Sequence, residues 1–355
     1  MKKVLLAAAI ASISLSAAQA APTLYGKLNV SLNQVDNINA AGDNETQLNS
    51  NASRIGVKGE EKLTDNVGVV YLAEWGIATD GKDAGSDTDL GARNRFIGLK
   101  FNNVGTLKAG SYDSYFKTSA GKYQDIFNDD TNLDITKTMY GEERLKNTVG
   151  FETDKNLIIP GLQFNVQAQT GEASSSVPKL GETGDNDKRD SIDSFSTSLT
   201  YENKDLGLAA GIAGNFGVQG TYNALSKSYY SDALRVTGSY DLTKIGAEGL
   251  VFGALYQQAE PTDDVVAYND LKEKAWVVSG TYSIPSTPWA VKAQYQSAKT
   301  EWTNNDRKID QYGLGVDYNF NKQARFYGVV AQQKRDWYAD NDKKTVLGLG
   351  MEYNF

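Results

Sequence analysis

Six carboxylates fall in one stretch of the chain, residues 115–144: Asp125, Asp129, Asp130, Asp134, Glu142 and Glu143. Basic side chains recur elsewhere at even spacing, Arg93 with Arg95, Arg144 with Lys146, and Arg54 with Lys58. Residues two or four apart share a face if the backbone is a β-strand. Acids set against bases across a narrow wet gap make a transverse field, which aligns the dipole of a polar solute and disfavours an apolar one. That chemistry selects solutes rather than making bonds. The chain has no His and no Cys. Ser-His-Asp and Cys-His nucleophile systems, nearly all zinc sites, disulfides and a lipid-anchored cysteine are thereby removed. No enzyme activity and no cofactor or metal are expected. The runs Asp185-Asn186-Asp187 and Asp340-Asn341-Asp342 lack the full spacing of a calcium loop and read as solvated loop charge.

The elements that must carry these residues alternate with a period of two. The pattern recurs over Leu24–Leu32, Arg54–Leu63, Val67–Ile77, Arg93–Phe101, Val104–Ser114, Leu145–Thr153, Leu162–Thr170 and Ser194–Tyr201. It continues over Leu206–Phe216, Leu234–Leu242, Leu250–Gln258, Lys274–Ile284, Trp289–Ser297, Asp310–Phe320, Arg325–Arg335 and Thr345–Phe355. In Leu234–Leu242 the polar face is Arg235, Thr237, Ser239 and Asp241; in Leu250–Gln258 and Arg325–Arg335 the alternation blurs. Tight polar turns such as Thr64–Asn66, Asn102-Asn103 and Asn321-Lys322 alternate with long polar links. The long links are Val35–Ser53, Ala78–Ala92, Tyr115–Arg144, Gly171–Asp193, Gly217–Ala233, Glu260–Glu273, Thr300–Lys308 and Trp337–Lys344. About sixteen strands with this long-short rhythm predict an all-β fold, a transmembrane antiparallel up-and-down β-barrel. A soluble sandwich or propeller is the competing architecture. A mean hydropathy of −0.46 fits a barrel, because only every second residue of a strand meets lipid. Charged residues on such strands face the lumen or sit near the interface, since lipid exposure at the midplane costs about 2–4 kcal/mol each.

Both ends agree. Met1-Lys2-Lys3, the apolar run Val4–Ala18 and Ala18-Gln19-Ala20 predict a signal peptide over residues 1–20, leaving 21–355 as one barrel domain. In the last eleven residues Leu347, Leu349, Met351, Tyr353 and Phe355 share a face. Tyr353 and Phe355 are expected at the membrane interface, as are the five Trp. The formal charge is −8, and losing Lys2 and Lys3 with the leader takes it to −10. That makes nucleic acid an unsuitable partner and favours mild cation preference.

Several stretches resemble the Gram-negative general diffusion porins. They are Leu24-Tyr-Gly-Lys27, Ser53-Arg-Ile-Gly-Val-Lys-Gly-Glu60, the run from Arg93 to Gly105, Arg144-Leu-Lys-Asn-Thr-Val-Gly150 and the terminal Phe355. The resemblance covers essentially the whole chain after residue 20. It implies an outer-membrane homotrimer of sixteen-stranded barrels, each with a water-filled channel for passive diffusion of small hydrophilic solutes. It also implies a third loop folded into the lumen, with Lys27 joining Arg54, Arg93, Arg95, Arg144 and Lys146 in a basic wall. That wall would oppose the loop acids Asp125, Asp129, Asp130, Asp134 and Glu142. Tyr353 and Phe355 would form the assembly signal read by the barrel-assembly machinery, and lipid with lipopolysaccharide would surround the barrel. The chain departs from the enterobacterial pattern in having no recognisable Pro-Glu-Phe-Gly-Gly-Asp run in that loop. Other readings remain open at this point. The acids could be a solvated external loop and the bases interface anchors. The barrel could be a substrate-selective channel, or an adhesin or surface receptor acting through its long loops.

Overall fold

A computed structural model describes residues 21–81, 90–128, 130–171, 192–263, 265 and 267–355. The leader, Asp129, Asp185–Asp187, most of Gly171–Asp193 and much of Ala78–Ala92 lie outside the described residues. Seventeen strand segments form one sheet that closes on itself. Glu45–Ser50 and Arg54–Lys62 both pair with the first strand, Thr23–Asp36, and are two halves of one strand broken at 51–53, where Ala52 takes a positive φ. The barrel is therefore sixteen-stranded and antiparallel. Closure is made by Thr23–Asp36 against Lys343–Asn354, in register from Lys27↔Asn354 to Asp36↔Thr345. The terminal residue completes that seam, with Gly26 N–H donating to Phe355 O at 2.9 Å and Phe355 N–H to Gly26 O at 3.0 Å.

The packing is inside-out relative to a soluble protein. On the first strand Asn29, Ser31 and Asn33 are buried while Leu28 and Leu32 are exposed. On the last strand Leu347, Leu349, Met351, Tyr353 and Phe355 are all exposed. Such an apolar outer face is stable only against lipid, and closure removes the unpaired edge that lipid would penalise. At the rim of the short turns aromatic rings meet edge-on: Trp289 with Tyr318 at 4.8 Å, Tyr318 with Phe320 at 4.9 Å, Phe320 with Phe326 at 5.3 Å. Trp302 and Trp337 depart from the expected girdle. They flank Arg307 at the opposite mouth, at 5.7 and 5.3 Å.

All sixteen expected strands are present, but several run further toward the long-link side. Leu208–Tyr222 and Lys227–Asp241 form one long hairpin, where a polar link over Gly217–Ala233 was expected. Trp289–Trp302 and Asn305–Asn319 likewise replace most of the link Thr300–Lys308. Above the lipid both faces of a strand can be polar, so the hydropathy signal stops before the ladder does. The strand that blurred in sequence, Leu250–Pro261, alternates cleanly in space. Its inward residues Val251 and Leu255 are apolar and buried, which erased the contrast.

Candidate pore constriction

Leu255 is covered by the segment 114–143, which enters the barrel. It begins with a short helix, Tyr115–Thr118, whose N-terminus is capped by the Ser114 side chain accepting from Lys117 N–H. It later makes a 3-10 turn, Ile135–Lys137, capped by Asp134 accepting from Thr136 N–H. Ile135 and Met139 pack on Leu255, Ala275, Val277 and Ala298. Phe127 and Leu133 pack with Tyr327, Val329 and Ala331. Phe116 and Tyr140 pack with Tyr222 and Tyr229. The third long link is thus an inward loop lying along one wall.

A charged band runs along the wall from the loop's own helix, which carries Lys117, to Lys292, which lies 5.0 Å over the ring of the loop residue Phe127. Glu74 is the hub of one group: Tyr25 O–H donates to its Oε2 at 2.9 Å, Arg93 Nε lies 2.6 Å from Oε1, and Arg54 Nε lies 3.6 Å from Oε2. Asp113 is the hub of the next, with Arg144 Nη2 at 3.1 Å and Lys117 Nζ at 3.5 Å. Asn94 joins this second group, donating to Asp113 Oδ2 at 2.9 Å and accepting from Arg144 Nε at 2.6 Å. On the other side of the seam Asp317 takes Lys292 at 3.3 Å and Arg325 at 3.2 Å, and Arg325 reaches Glu352 at 3.0 Å. Glu352 accepts from Asn29 at 3.2 Å, and Lys27 sits in register between Arg54 and Asn354. The band is continuous over ten successive strands. It holds the cations Lys27, Arg54, Arg93, Lys117, Arg144, Lys292 and Arg325 against the carboxylates Glu74, Asp113, Asp317 and Glu352.

A β-bulge decides which arginine joins it. Ala73 pairs with Arg95, but Trp75 pairs with Ala92. One residue of Val67–Ile77, Glu74, thus faces two of Leu90–Phe101, Arg93 and Asn94, and both reach the lumenal groups. Arg95 stays on the outward face with Ile97 and Leu99 and is exposed. Even spacing had placed Arg93 and Arg95 together, and the extra residue separates them. A second irregularity, between Gly110/Tyr112 and Thr148/Leu145, leaves Lys146 exposed beside Asn147, whose φ is positive. Arg144 enters the band and Lys146 does not.

The loop acids are turned mostly into the loop's own packing. Asp125 is buried, accepting from Ile135 N–H and Gln294. Burial first, then the Asp134 and Glu142 charges, hold its carboxyl well above the usual range. Asp130 is buried, with its carboxylate accepting from Asn132 and Leu133 N–H, and burial raises it too. Glu142 meets Arg235 at 2.7 Å with both side chains enclosed; burial pushes its carboxyl up to about 7 against the pull of that arginine. Asp134 is half-buried at its cap. Sequence reasoning missed Tyr25, Glu74, Asp113, Lys117, Lys292, Asp317, Arg325 and Glu352. For Glu74 the signal was available, a lone carboxylate amid the apolar run Val67–Ile77.

A family model described as Gram-negative porin matches residues 5–337. The chain is a Gram-negative porin. It is 25 % identical to an outer membrane porin protein of Bordetella pertussis, with 98 % of each chain covered. Its fold is similar to an anion-selective porin from Comamonas acidovorans, with a TM-score of 0.69, 18 % identity, and 95 % of this chain and 100 % of that chain covered. It is also similar to OmpT of Vibrio cholerae in a trimer form, with a TM-score of 0.64, 16 % identity and coverage of 96 % and 100 %. This porin is therefore an outer-membrane β-barrel channel.

Proposed function

We propose that this porin passes small hydrophilic solutes and ions by passive diffusion, through a constriction between the inward loop and the charged band. The domain is residues 21–355 after removal of a leader over 1–20, and the working unit is a homotrimer. The carrying observation is the band itself: among the described residues its strand-borne cations Lys27, Arg54, Arg93, Arg144, Lys292 and Arg325 outnumber its carboxylates Glu74, Asp113, Asp317 and Glu352. Mild cation preference was expected from the acidic composition and the loop carboxylates. With Asp125, Asp130 and Glu142 drawn into packing, the local field comes from the band. We therefore take the preference to be mild and toward anions.

The test is planar-bilayer recording of the purified porin, with liposome swelling in sugars of graded size. Steady ohmic conductance and swelling that falls off smoothly with solute size are expected. Saturation by one solute would favour a substrate-selective channel. Absence of conductance with loop-dependent binding to a surface partner would favour a receptor barrel.

A further inference from the structure

Five wall glutamines on four of five successive strands are almost fully buried: Gln257, Gln294, Gln296, Gln311 and Gln333; Gln294 and Gln296 share one strand, and the remaining strand, Lys272–Ser283, contributes Ser279 instead. Their amides meet the inward loop. Gln257 Nε2 donates to Tyr140 O at 2.7 Å, Gln311 Nε2 to Leu133 O at 2.7 Å, and Gln296 Nε2 to Leu133 O at 3.4 Å and Thr138 Oγ1 at 3.2 Å. Gln294 Oε1 accepts from Ile126 N–H at 2.9 Å. Gln333 Nε2 donates to Gln311 Oε1 at 2.9 Å and so orients it.

We propose that Gln257, Gln294, Gln296 and Gln311 are positioning residues that set the pore aperture by holding the inward loop at its backbone. A glutamine amide suits that task. It supplies a donor to carbonyls and an acceptor to N–H groups, both of which a loop without a ladder leaves over. It brings no charge, so the grip adds nothing to the field that selects ions and is not screened by salt. Two charged wall residues also hold the loop backbone, Arg235 at Phe116 O and Glu273 at Tyr140 N–H, and both are fully buried. Aperture and charge selection are thereby assigned to different residues. The inference rests on the reading of the loop as the narrowing element of a conducting channel.

Gln311→Glu tests it with nearly unchanged shape. One oxygen keeps the bond from Gln333; the other replaces the donor and faces Leu133 O. Protonated, the acid donates to that carbonyl as the amide did. Ionised, it repels it. Charged groups nearby are Asp130, Asp134 and Lys137 on the loop, and Lys292, Arg335 and Lys344 on the wall. All are present in both proteins, so the variant-to-native conductance ratio isolates the added carboxyl. The ratio should stay near one at pH 5 and rise to about 1.5 or more at pH 9, with admission of larger neutral polyethylene glycols. Gln296→Leu, which removes a donor without adding a titrating group, should raise open-channel noise equally at both pH values and leave the reversal potential unchanged. Heat-shifted mobility on gels confirms that each barrel has folded. A folded Gln311→Glu protein with a flat ratio, or with an altered reversal potential and unaltered polymer exclusion, would overturn the proposal. A native protein that does not conduct would instead remove the channel reading on which it rests.

Discussion

Arg93 reaches Glu74 at 2.6 Å only because a β-bulge inserts one extra residue opposite that glutamate. The same insertion sends Asn94 to Asp113 and Arg144 and leaves Arg95 outside. A single irregularity thus sets which side chains of Leu90–Phe101 join the charged band.

Glu74 is the carboxylate that offsets Arg54 and Arg93. Glu74→Gln keeps the side-chain shape and removes one negative charge from the band. The barrel should remain folded: Glu74 is buried, and the amide oxygen of the variant still accepts from one of Tyr25 and Arg93. The anion-to-cation permeability ratio should rise by about 1.5- to 2-fold, read from the reversal potential. An unchanged ratio would place Glu74 away from the ion path.

The barrel was legible because lipid on one face and water on the other impose a period of two over every strand. Leu347, Leu349 and Met351 against Gly348 and Gly350 carry that signal directly. Facing was legible only where the ladder is regular. Arg93 and Arg95 obey the spacing rule in sequence and break it in space, because a bulge has no signature that spacing can reveal. The loop was legible as a functional insertion from its length and acidity. The fate of its acids was not: Asp125 and Glu142 are enclosed by side chains from strands more than ninety residues away, and composition carries no such contacts. Arg235 was placed on the polar face of its strand, yet nothing local marks it as the partner of Glu142.

Asp125 supplies a pH dependence. Its carboxyl is raised in the packed loop, so the packed state binds a proton that an undocked loop would release. Loop packing should then be strongest below about pH 4 and weaken as pH rises from there to the raised value. Asp125→Asn keeps the packed state neutral at all pH. At pH 8 its loop amides should exchange with deuterium more slowly than the native ones, after correction for intrinsic rates, with the two converging as pH falls toward about 4. Conductance and reversal potential should match the native protein. A shifted reversal potential would mean that Asp125 faces the ion path.

Gly253 lies directly under the loop. A Cβ there would run into the Tyr123 carbonyl, which Ser279 also holds. Gly253→Ala should push that part of the loop into the lumen and lower single-channel conductance by about a fifth, since a packed site resolves an added methyl by displacement. Gly91→Ala is the control, because nothing among the described residues lies within 4 Å of its Cβ position. Equal conductance in the two variants would show that the loop yields without narrowing the channel.

Under the proposed function, ion selectivity follows the band and not the net charge of −8. The most direct measurement is the reversal potential across a tenfold KCl gradient for the native porin, Arg93→Ser and Arg95→Ser. The account predicts a mild anion sign for the native protein, a shift toward cations in Arg93→Ser, and no shift in Arg95→Ser. The Arg93 effect should shrink at high salt, as the Debye length falls from about 10 Å at 0.1 M to about 3 Å at 1 M. A clear cation sign in the native protein, or equal shifts in the two variants, would contradict it.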